Sequence, residues 1–455
     1  MKKLWQKNWE MDKTIEAFET RGDLLMDQKL VKADVYGSVA QAMMLQKIGI
    51  ISKNDLTSAK KGLLKIMLLD SYGQFQLEAG DEDVHTKIEN FLTKEVGDVG
   101  QKIHTGRSRN DQVLTALRLY TKEILLSIWQ AEIKLQKSFL AFVDKFGNVP
   151  MPGYTHMQKA MPSTVGMWAA SFVESLSDDL EVLEFAYLLN DKSPLGSAAG
   201  YGVPLSLDRY YTAELLGFGK VQISPIYCQN SRGKIEACIL SSLNSVLLTI
   251  NKFSSDILFF TTSECSYFNV KNELCSGSSI MPQKKNVDIA ELLRSKANIM
   301  TGNYVSMVGV SSNLISGYNR DLQDTKKILI ESLELALESV LVADVLINNI
   351  SPNMENLEKA LTPEIFATHS ALSLVEKGVM FRQAYQTVGL ERNFEKPNDL
   401  KGMLARSSHL GGAGNLALDS FIHVMKKSES KMKKELKKYE NIINNLLKEN
   451  NEKEK

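Results

Sequence analysis

Residues 108–146 contain neither proline nor glycine, and the apolar pattern of this stretch constrains the fold more than any other feature of the sequence. Apolar side chains recur there at steps of three or four residues, with a period of about 3.67, close to the repeat of a straight α-helix. At about 1.5 Å per residue, one unbroken helix over this stretch reaches on the order of 50 Å. The stripe consists of Val113, Leu117, Tyr120, Ile124, Ile128, Ala131, Leu135, Phe139, Phe142 and Phe146.

Four further segments show the same helical pattern, while strand signals are scarce in a chain with only 10 prolines. They are residues 167–190, 234–265, 288–300 and 320–350. The pattern predicts an all-α protein built around a central bundle of long helices. With shorter helices on either side, three helical domains are expected, at residues 1–105, 106–355 and 356–455.

For two helical segments, the sequence pattern alone does not determine what they pack against. The segment from residue 234 is apolar around more than one face, which fits burial within one bundle and also fits burial against neighbouring subunits. The tail at residues 426–455 is rich in Lys, Glu and Asn and contains an amphipathic helical pattern. We expect this tail to be a solvated terminus.

Composition argues against several classes of partner. Lys plus Arg equals Asp plus Glu at 54 each, and a net charge near zero argues against nucleic acid and anionic membranes. The sequence has no run of about 18 apolar residues, and residues 1–17 lack the apolar core of a secretion signal. The four cysteines show no metal-binding spacing and are expected to be free thiols. We therefore expect a cytoplasmic protein without a bound metal or cofactor.

Residues 277–286 read GSSIMPQKKN and form the chemically most informative segment. Removing a proton from a carbon next to a carboxylate requires a base, a cation for the growing charge and a backbone that approaches the substrate closely. Gly277 allows such an approach, Lys284 supplies a point charge, and Asn286 supplies a neutral donor and acceptor. The alternative interpretation is an ordinary solvated loop.

Residues 104–112 read HTGRSRNDQ and stand just before the long helical stretch. Free backbone N–H groups at a helix start, together with the guanidinium groups of Arg107 and Arg109, indicate an anion site. An ordinary helix start capped by Asn110 or Asp111 is the alternative.

Residues 152–158 read PGYTHMQ, so that His156 follows an expected Pro-Gly turn and stands beside Thr155. A histidine can act as an acid or a base near neutral pH. A single histidine is nevertheless more often structural, and this segment by itself is a weak signal.

Together, these three segments resemble the fumarase/aspartase superfamily, and within it the argininosuccinate lyases. The resemblance extends from the segment at residues 34–38 to about residue 420. It implies a homotetramer whose five-helix bundles form a 20-helix core, with each active site built by several subunits. It also implies the reversible elimination that splits argininosuccinate into arginine and fumarate.

The resemblance implies the following catalytic roles. Ser278 matches the base, and because a neutral hydroxyl is a poor base, its pKa must be lowered by nearby positive charge and N–H dipoles. Lys284 and Asn286 match the residues that hold the doubly charged carboxylate. His156 matches the histidine that protonates the leaving nitrogen, and Glu291 matches the carboxylate that pairs with it. Without the resemblance, Glu291 reads equally well as a carboxylate on a helix surface.

The resemblance also implies a set of substrate contacts. Ser108, Arg109 and Asn110, at the start of the long helix, are expected to hold one carboxylate end of the substrate, and Thr155 to add a hydroxyl. Tyr318, Gln323 and Lys326 are expected to contact the remaining polar groups. Asp23 and Asp27 stand near the expected place of the arginine portion, where an acid suits the amino group. Asp23 matches only part of the family. The residues are Ser108, Arg109, Asn110, Thr155, Tyr318, Gln323, Lys326, Asp27 and His85.

Four positions depart from the family pattern: Val287, Gly233, His369 and Tyr385. None of them alters the expected base, cation or acid. Three alternatives remain: a sister enzyme such as adenylosuccinate lyase or aspartase, a catalytically silent protein related to the lens crystallins, and an interaction scaffold in which the lysines serve as surface charge.

Overall fold

The computed structural model describes residues 12–20, 22–78, 81–392 and 394–448. Long helices dominate these residues, and the predicted all-α class is confirmed. The helices are α1 Lys13–Thr20, α2 Asp23–Gln28, α3 Val31–Lys47, α4 Lys53–Ser71, α5 Val84–Val96, α6 Asp98–Lys102, α7 Arg109–Phe146, α8 Val165–Asn190, α9 Arg209–Leu215, α10 Pro225–Asn230, α11 Lys234–Phe260, α12 Asp288–Ser311, α13 Thr325–Ile347, α14 Met354–Ala360, α15 Ala367–Glu376, α16 Phe381–Glu391, α17 Leu400–Ala405 and α18 Leu418–Leu447.

Short strands pair two by two at the ends of the long helices. The strands are β1 Pro150–Thr155, β2 Gln158–Thr164, β3 Lys192–Ser193, β4 Lys220–Val221, β5 Phe268–Val270 and β6 Ile350–Pro352. Strands β1 and β2 form an antiparallel hairpin, β3 and β4 pair in parallel, and β5 and β6 are antiparallel.

The five predicted long helices correspond to α7, α8, α11, α12 and α13, which pack against one another as one bundle. Leu240, Leu243 and Leu247 of α11 are fully buried in its core. Replacing any one of them by alanine is expected to cost about 2–5 kcal/mol of stability. At one end of the bundle, the ring of Phe139 stacks on Phe172, with 5.3 Å between ring centroids.

Helix α12 is longer than predicted, because it continues past residue 300 to Ser311. Gly302 and Gly309 lie inside this extension, and each costs a helix only about 1 kcal/mol relative to alanine. Met300 and Met307 are fully buried against the bundle. This burial outweighs the low helix propensity of the two glycines.

The expectation of a solvated tail is wrong for residues 426–448. Helix α18 packs against α3, α7 and α8, and it buries Met432, Tyr439 and Leu446 in the main core. Ser428 accepts a 2.8 Å hydrogen bond from the indole nitrogen of Trp129 on α7. Residues 449–455 lie outside the described part of the chain.

The part of the chain that lies between α13 and α18 in sequence forms a second and smaller core. This core contains Leu361, Ile365, Phe366, Met403 and Leu404. It gives the third predicted domain a hydrophobic centre of its own, although α18 returns to the main core. The division at residues 105 and 355 stays a proposal.

Within the described residues, one helical stretch, Pro225–Phe260, has the length and hydropathy that a membrane span needs. Of its most apolar window, 61% is buried inside the protein. This stretch contains α10 and α11, and α11 contacts α8, α12 and α13. Its hydropathy is therefore that of a core helix.

Candidate active site

Residues 276–286 form a loop that two backbone hydrogen bonds close at its base. The N–H of Ser276 donates to the carbonyl of Asn286 at 3.0 Å, and the N–H of Asn286 donates back at 2.9 Å. Inside the loop, the hydroxyl oxygen of Ser278 accepts hydrogen bonds from the N–H groups of Ile280 at 3.3 Å and Met281 at 3.1 Å. Two N–H dipoles directed at one oxygen favour negative charge on that oxygen.

The two lysines of this loop have different surroundings. Lys285 donates to the carbonyl of Val270 at 2.5 Å and to the side chain of Asn272 at 2.8 Å, which ties the loop to the end of β5. Lys284 is exposed, and its ammonium group makes no hydrogen bond or ion pair with any described residue. Lys284 is therefore the lysine that is free to meet an anionic ligand.

His156 lies at the tip of the β1–β2 hairpin, between the paired residues Thr155 and Gln158. His156 and Met157 have φ angles of 51° and 62°, as a two-residue type I′ turn requires. The predicted Pro-Gly turn is wrong, because Gly153 lies within β1 at a break in the strand register. His156 is therefore an exposed residue of the hairpin turn.

The start of α7 is a capped helix start. Ser108 is its N-cap and accepts from the N–H of Asn110 at 3.3 Å, while Asp111 accepts from the N–H of Ser108 at 2.9 Å. Asp111, fully buried, also accepts from the N–H of Gly196 at 2.9 Å. Ser108 is therefore the cap, and the expectation of Asn110 or Asp111 in that position is wrong.

The two arginines of this segment face different surroundings. Arg107 is buried and donates to the hydroxyl of Ser38 on α3 at 3.0 Å, so only one of the two predicted guanidinium groups lines the cavity described below. Arg109 lies 3.1 Å from a carboxylate oxygen of Asp83 and donates to the hydroxyl of Thr86 at 2.9 Å. Its other terminal nitrogen donates to the side chain of Gln112 at 3.2 Å.

A cavity of about 240 Å³ opens beside the start of α7 and contains both cations and acids. Five predicted substrate contacts line it, namely Arg109, Asn110, Tyr318, Gln323 and Lys326. Asp23, an acid expected near the arginine portion of the substrate, lines it too. Sequence reasoning did not assign the other charged lining residues to the site: Glu19, Glu82, Asp83, Arg232 and Arg320. A ligand that carries both signs of charge fits such a lining.

Lys326 of α13 is held by two acids of α2. Its ammonium group lies 2.8 Å from a carboxylate oxygen of Asp23 and forms a closer ion pair with Asp27. Burial lowers the pKa of Lys326, but the charges of Asp27 and Asp23 more than offset this and raise that pKa above its usual value. Lys326 is therefore charged at neutral pH and fixed in place.

Two of the predicted substrate contacts are fully buried. Asp27 accepts a 3.1 Å hydrogen bond from the N–H of Val84 and pairs with Lys326, and the Nδ1 atom of His85 lies 2.9 Å from Asp34. Neither side chain presents a surface to the cavity, which differs from the contact that the sequence predicts. In this structure both residues position other groups, and direct contact with a substrate stays a prediction.

A buried acid stabilises the junction between α3 and α5. Burial alone would raise the pKa of Asp34, yet the charges of His85 and Arg107 and a hydrogen bond from Gln112 hold that pKa below its usual value. Asp83, the N-cap of α5, shows the same balance through His85 and Arg109. Asp83, directly before α5, is thus part of this framework.

The remaining predicted site residues do not line this cavity. Thr155, His156, Lys284 and Glu291 are all exposed. Among the described residues, no hydrogen bond or ion pair joins the hairpin tip, the 276–286 loop and the cavity lining to one another. One chain therefore presents three separate parts of the expected site.

The departures from the family pattern lie at structurally distinct places. Gly233 has a φ of +81°, and a Cβ added there would lie 2.4 Å from that of Ser311, so a larger residue does not fit. Val287 caps α12 without a side-chain hydrogen bond. Burial lowers the pKa of His369, whereas Tyr385 is mostly exposed on α16, and neither lines the cavity.

The fold is shared with solved lyases. The structure of EDDS lyase in complex with formate superposes with a TM-score of 0.82 at 20% identity, over 97% of this chain and 95% of that one. A class II fumarase from Schistosoma mansoni superposes with a TM-score of 0.71 at 18% identity, over 90% and 92% of the two chains. At these identities the likeness shows the fold alone.

Sequence comparison is more specific. Residues 6–302 match the family model described as "Lyase". The argininosuccinate lyase of Thermotoga neapolitana is 43% identical over 87% of this chain and 99% of its own length. That of Sorangium cellulosum is 38% identical over 92% and 97%, and that of Bacteroides fragilis is 38% identical over 94% and 95%. The chain belongs to the lyase family and, within it, to the argininosuccinate lyases.

Proposed function

We propose that this protein catalyses the reversible elimination that converts argininosuccinate into L-arginine and fumarate. The observation that carries the proposal is the 276–286 loop, which surrounds the Ser278 oxygen with two N–H donors and leaves Lys284 unpaired. The full-length similarity to argininosuccinate lyases supports this substrate over adenylosuccinate or aspartate.

The reaction needs one proton removed and one proton supplied. Ser278, as the alkoxide, takes a proton from the carbon next to a carboxylate of the succinate portion. The electron pair is delocalised onto that carboxylate, which then carries a double negative charge opposite Lys284 and Asn286. Each donor of this kind typically contributes roughly 3–4 kcal/mol to lowering the barrier.

The carbon–nitrogen bond then breaks, and fumarate forms as the electron pair returns. The departing guanidino nitrogen takes its proton from His156, directly or through water. Glu291 pairs with this histidine and favours its protonated form. Because the reaction moves protons and electron pairs without net oxidation, it requires no redox cofactor.

We further propose that four chains assemble through the bundle and that each active site takes residues from more than one of them. The separation of the hairpin tip, the loop and the cavity in one protomer supports sharing. Large apolar side chains on outward faces of the bundle helices support association. They include Val182, Phe185, Leu188, Leu292, Ile299, Val305, Leu341 and Val345. A cytoplasmic location is proposed with this role.

The test is an assay that offers argininosuccinate, adenylosuccinate and aspartate separately and follows fumarate by its ultraviolet absorbance. Argininosuccinate alone should give fumarate. Ser278→Ala should lose at least about a thousandfold in turnover while still binding substrate, because the binding groups lie elsewhere. Ser279→Ala is the matched control and should retain most activity. Near-normal turnover in Ser278→Ala would refute the assigned base, and no turnover in the wild type would point to a silent homologue.

A further inference from the structure

The cations that line the cavity differ in how many hydrogen bonds and ion pairs they already form with protein groups. Arg109 is surrounded by acids and hydrogen-bond acceptors, Lys326 is held between two carboxylates, and Arg320 lies 3.2 Å from Glu19. Arg232 also lines the cavity, but its guanidinium group forms no hydrogen bond and no ion pair with any described residue. It is therefore the lining cation whose donors are unused.

Arg232 is nevertheless almost completely buried, with 4% of its surface exposed. Its Nε atom is inaccessible and unbonded, and its guanidinium carbon lies 5.5 Å from the ring centre of Tyr318. The residues on either side, Ser231 and Gly233, carry no charge. A buried guanidinium without a carboxylate is costly, and an anionic ligand that accepts its hydrogen bonds removes that cost.

The surroundings of Arg232 indicate which anion it binds. Asp23 lines the same cavity, and the charges of Lys326 and Arg232 oppose the rise that burial causes in its pKa. A cation and an acid that line one cavity suit the α-carboxylate and α-ammonium groups of an amino acid, which one carbon joins. The succinate portion offers carboxylates but no ammonium group.

We infer that Arg232 binds the α-carboxylate of the arginine portion of the substrate and thereby selects an amino acid over the corresponding amine. This assignment rests on the proposed function. It makes Arg232, and not Arg109, the principal carboxylate-binding arginine of the cavity, because the donors of Arg109 are already committed to protein groups.

The test compares L-arginine with agmatine, which has the same guanidino group and chain but lacks the α-carboxylate. Isothermal titration calorimetry on the full-length protein should show that Arg232→Gln weakens L-arginine roughly 10- to 100-fold, the range of a charge-assisted hydrogen bond. The affinity for agmatine should change by less than about threefold. Arg232→Lys should fall between, because it keeps the charge and loses the bidentate geometry.

Arg382→Gln is the matched control, since Arg382 is an exposed arginine on α16 that does not line the cavity. It should leave both affinities unchanged. The melting temperature of each variant checks folding, and Arg232→Gln should fold because the native side chain makes no protein hydrogen bond that its loss would break.

Kinetics of the synthetic direction separate this inference from the proposed function, because fumarate and L-arginine are then independent substrates. Arg232→Gln should raise KM for L-arginine at least about tenfold and change KM for fumarate by less than about threefold. If the wild type binds L-arginine more tightly than agmatine but forms no argininosuccinate, the proposed function is refuted and the assignment of Arg232 is not. Equal losses for L-arginine and agmatine in Arg232→Gln, or an unchanged affinity for L-arginine, would overturn the assignment of Arg232.

Discussion

Replacing each of the two neighbouring lysines of the 276–286 loop by methionine should produce opposite effects. Methionine keeps most of the length and apolar volume of lysine and removes only the charge. The ammonium group of Lys284 forms no hydrogen bond or ion pair with any described residue, whereas that of Lys285 holds the loop through Val270 and Asn272 at 2.5 and 2.8 Å. The pair therefore separates a catalytic charge from a structural one.

For Lys284→Met we expect almost no change in folding, within about 0.5 kcal/mol, because no protein contact is lost. Turnover should fall about 10²- to 10³-fold, which corresponds to roughly 3–4 kcal/mol of lost stabilisation of the developing charge. For Lys285→Met, two charge-assisted hydrogen bonds disappear. Each can contribute about 1.5–3 kcal/mol, and the partial exposure of the loop places the loss near the lower end.

The assay measures kcat from fumarate absorbance, together with hydrogen–deuterium exchange of residues 276–286. Lys284→Met should keep the exchange pattern of the wild type and lose turnover. Lys285→Met should exchange faster throughout the loop and lose less than about tenfold in turnover, because the loop still samples its bound conformation. If Lys285→Met loses more turnover than Lys284→Met while its exchange is unchanged, our distinction between the two lysines is wrong.

Two further outcomes are expected. Glu132 of α7 is fully buried, neither of its oxygens accepts a hydrogen bond from a described residue, and burial raises its pKa well above the usual value. The folded protein therefore keeps a proton that the unfolded chain releases above about pH 4.5, so the contribution of Glu132 to stability becomes less favourable as the pH rises above that value. Glu132→Gln should gain at least about 1 kcal/mol at pH 7 and much less at pH 4, and a gain independent of pH in urea unfolding would contradict this. Light scattering of the purified protein should give the mass of four chains, and a stable monomer that cleaves argininosuccinate would disprove shared active sites.

The long helices could be predicted from the sequence because their apolar period is a local property. The prediction failed where a local rule competes with tertiary burial. The helical pattern was predicted to end at residue 300, but α12 continues past Gly302 because Met307 is buried beyond it. The hairpin that carries His156 was missed, since its turn places two residues without special turn propensity at positive φ. The pairing of β1 with β2, together with contacts such as the 2.7 Å hydrogen bond between the hydroxyls of Tyr154 and Tyr267, anchors the strands that carry that turn.

The residue types of the candidate site could be predicted from the sequence. Which of their charged groups are free to bind a ligand, and which are already bonded to other protein groups, could not. Arg107 and Arg109 differ by two positions, and nothing in the sequence around them shows that Arg107 faces the core while Arg109 faces the cavity. The same holds for Lys284 and Lys285, whose partners lie at the end of β5. Availability depends on acids and carbonyls supplied from distant parts of the chain.

Most charged groups that line the cavity are already paired with groups of opposite charge from other parts of the chain. A site for a substrate with three carboxylates and a guanidinium group must present cations and anions within a few ångströms, and unpaired they would destabilise the empty protein. Pairing Lys326 with Asp23 and Asp27 fixes a cation in place before the substrate arrives. Leaving Arg232 unpaired concentrates the unsatisfied electrostatic cost on one side chain, and this cost is relieved when a ligand with the right carboxylate enters. Selectivity for an amino acid then follows from which cation the protein leaves free, and not from the total number of cations in the cavity.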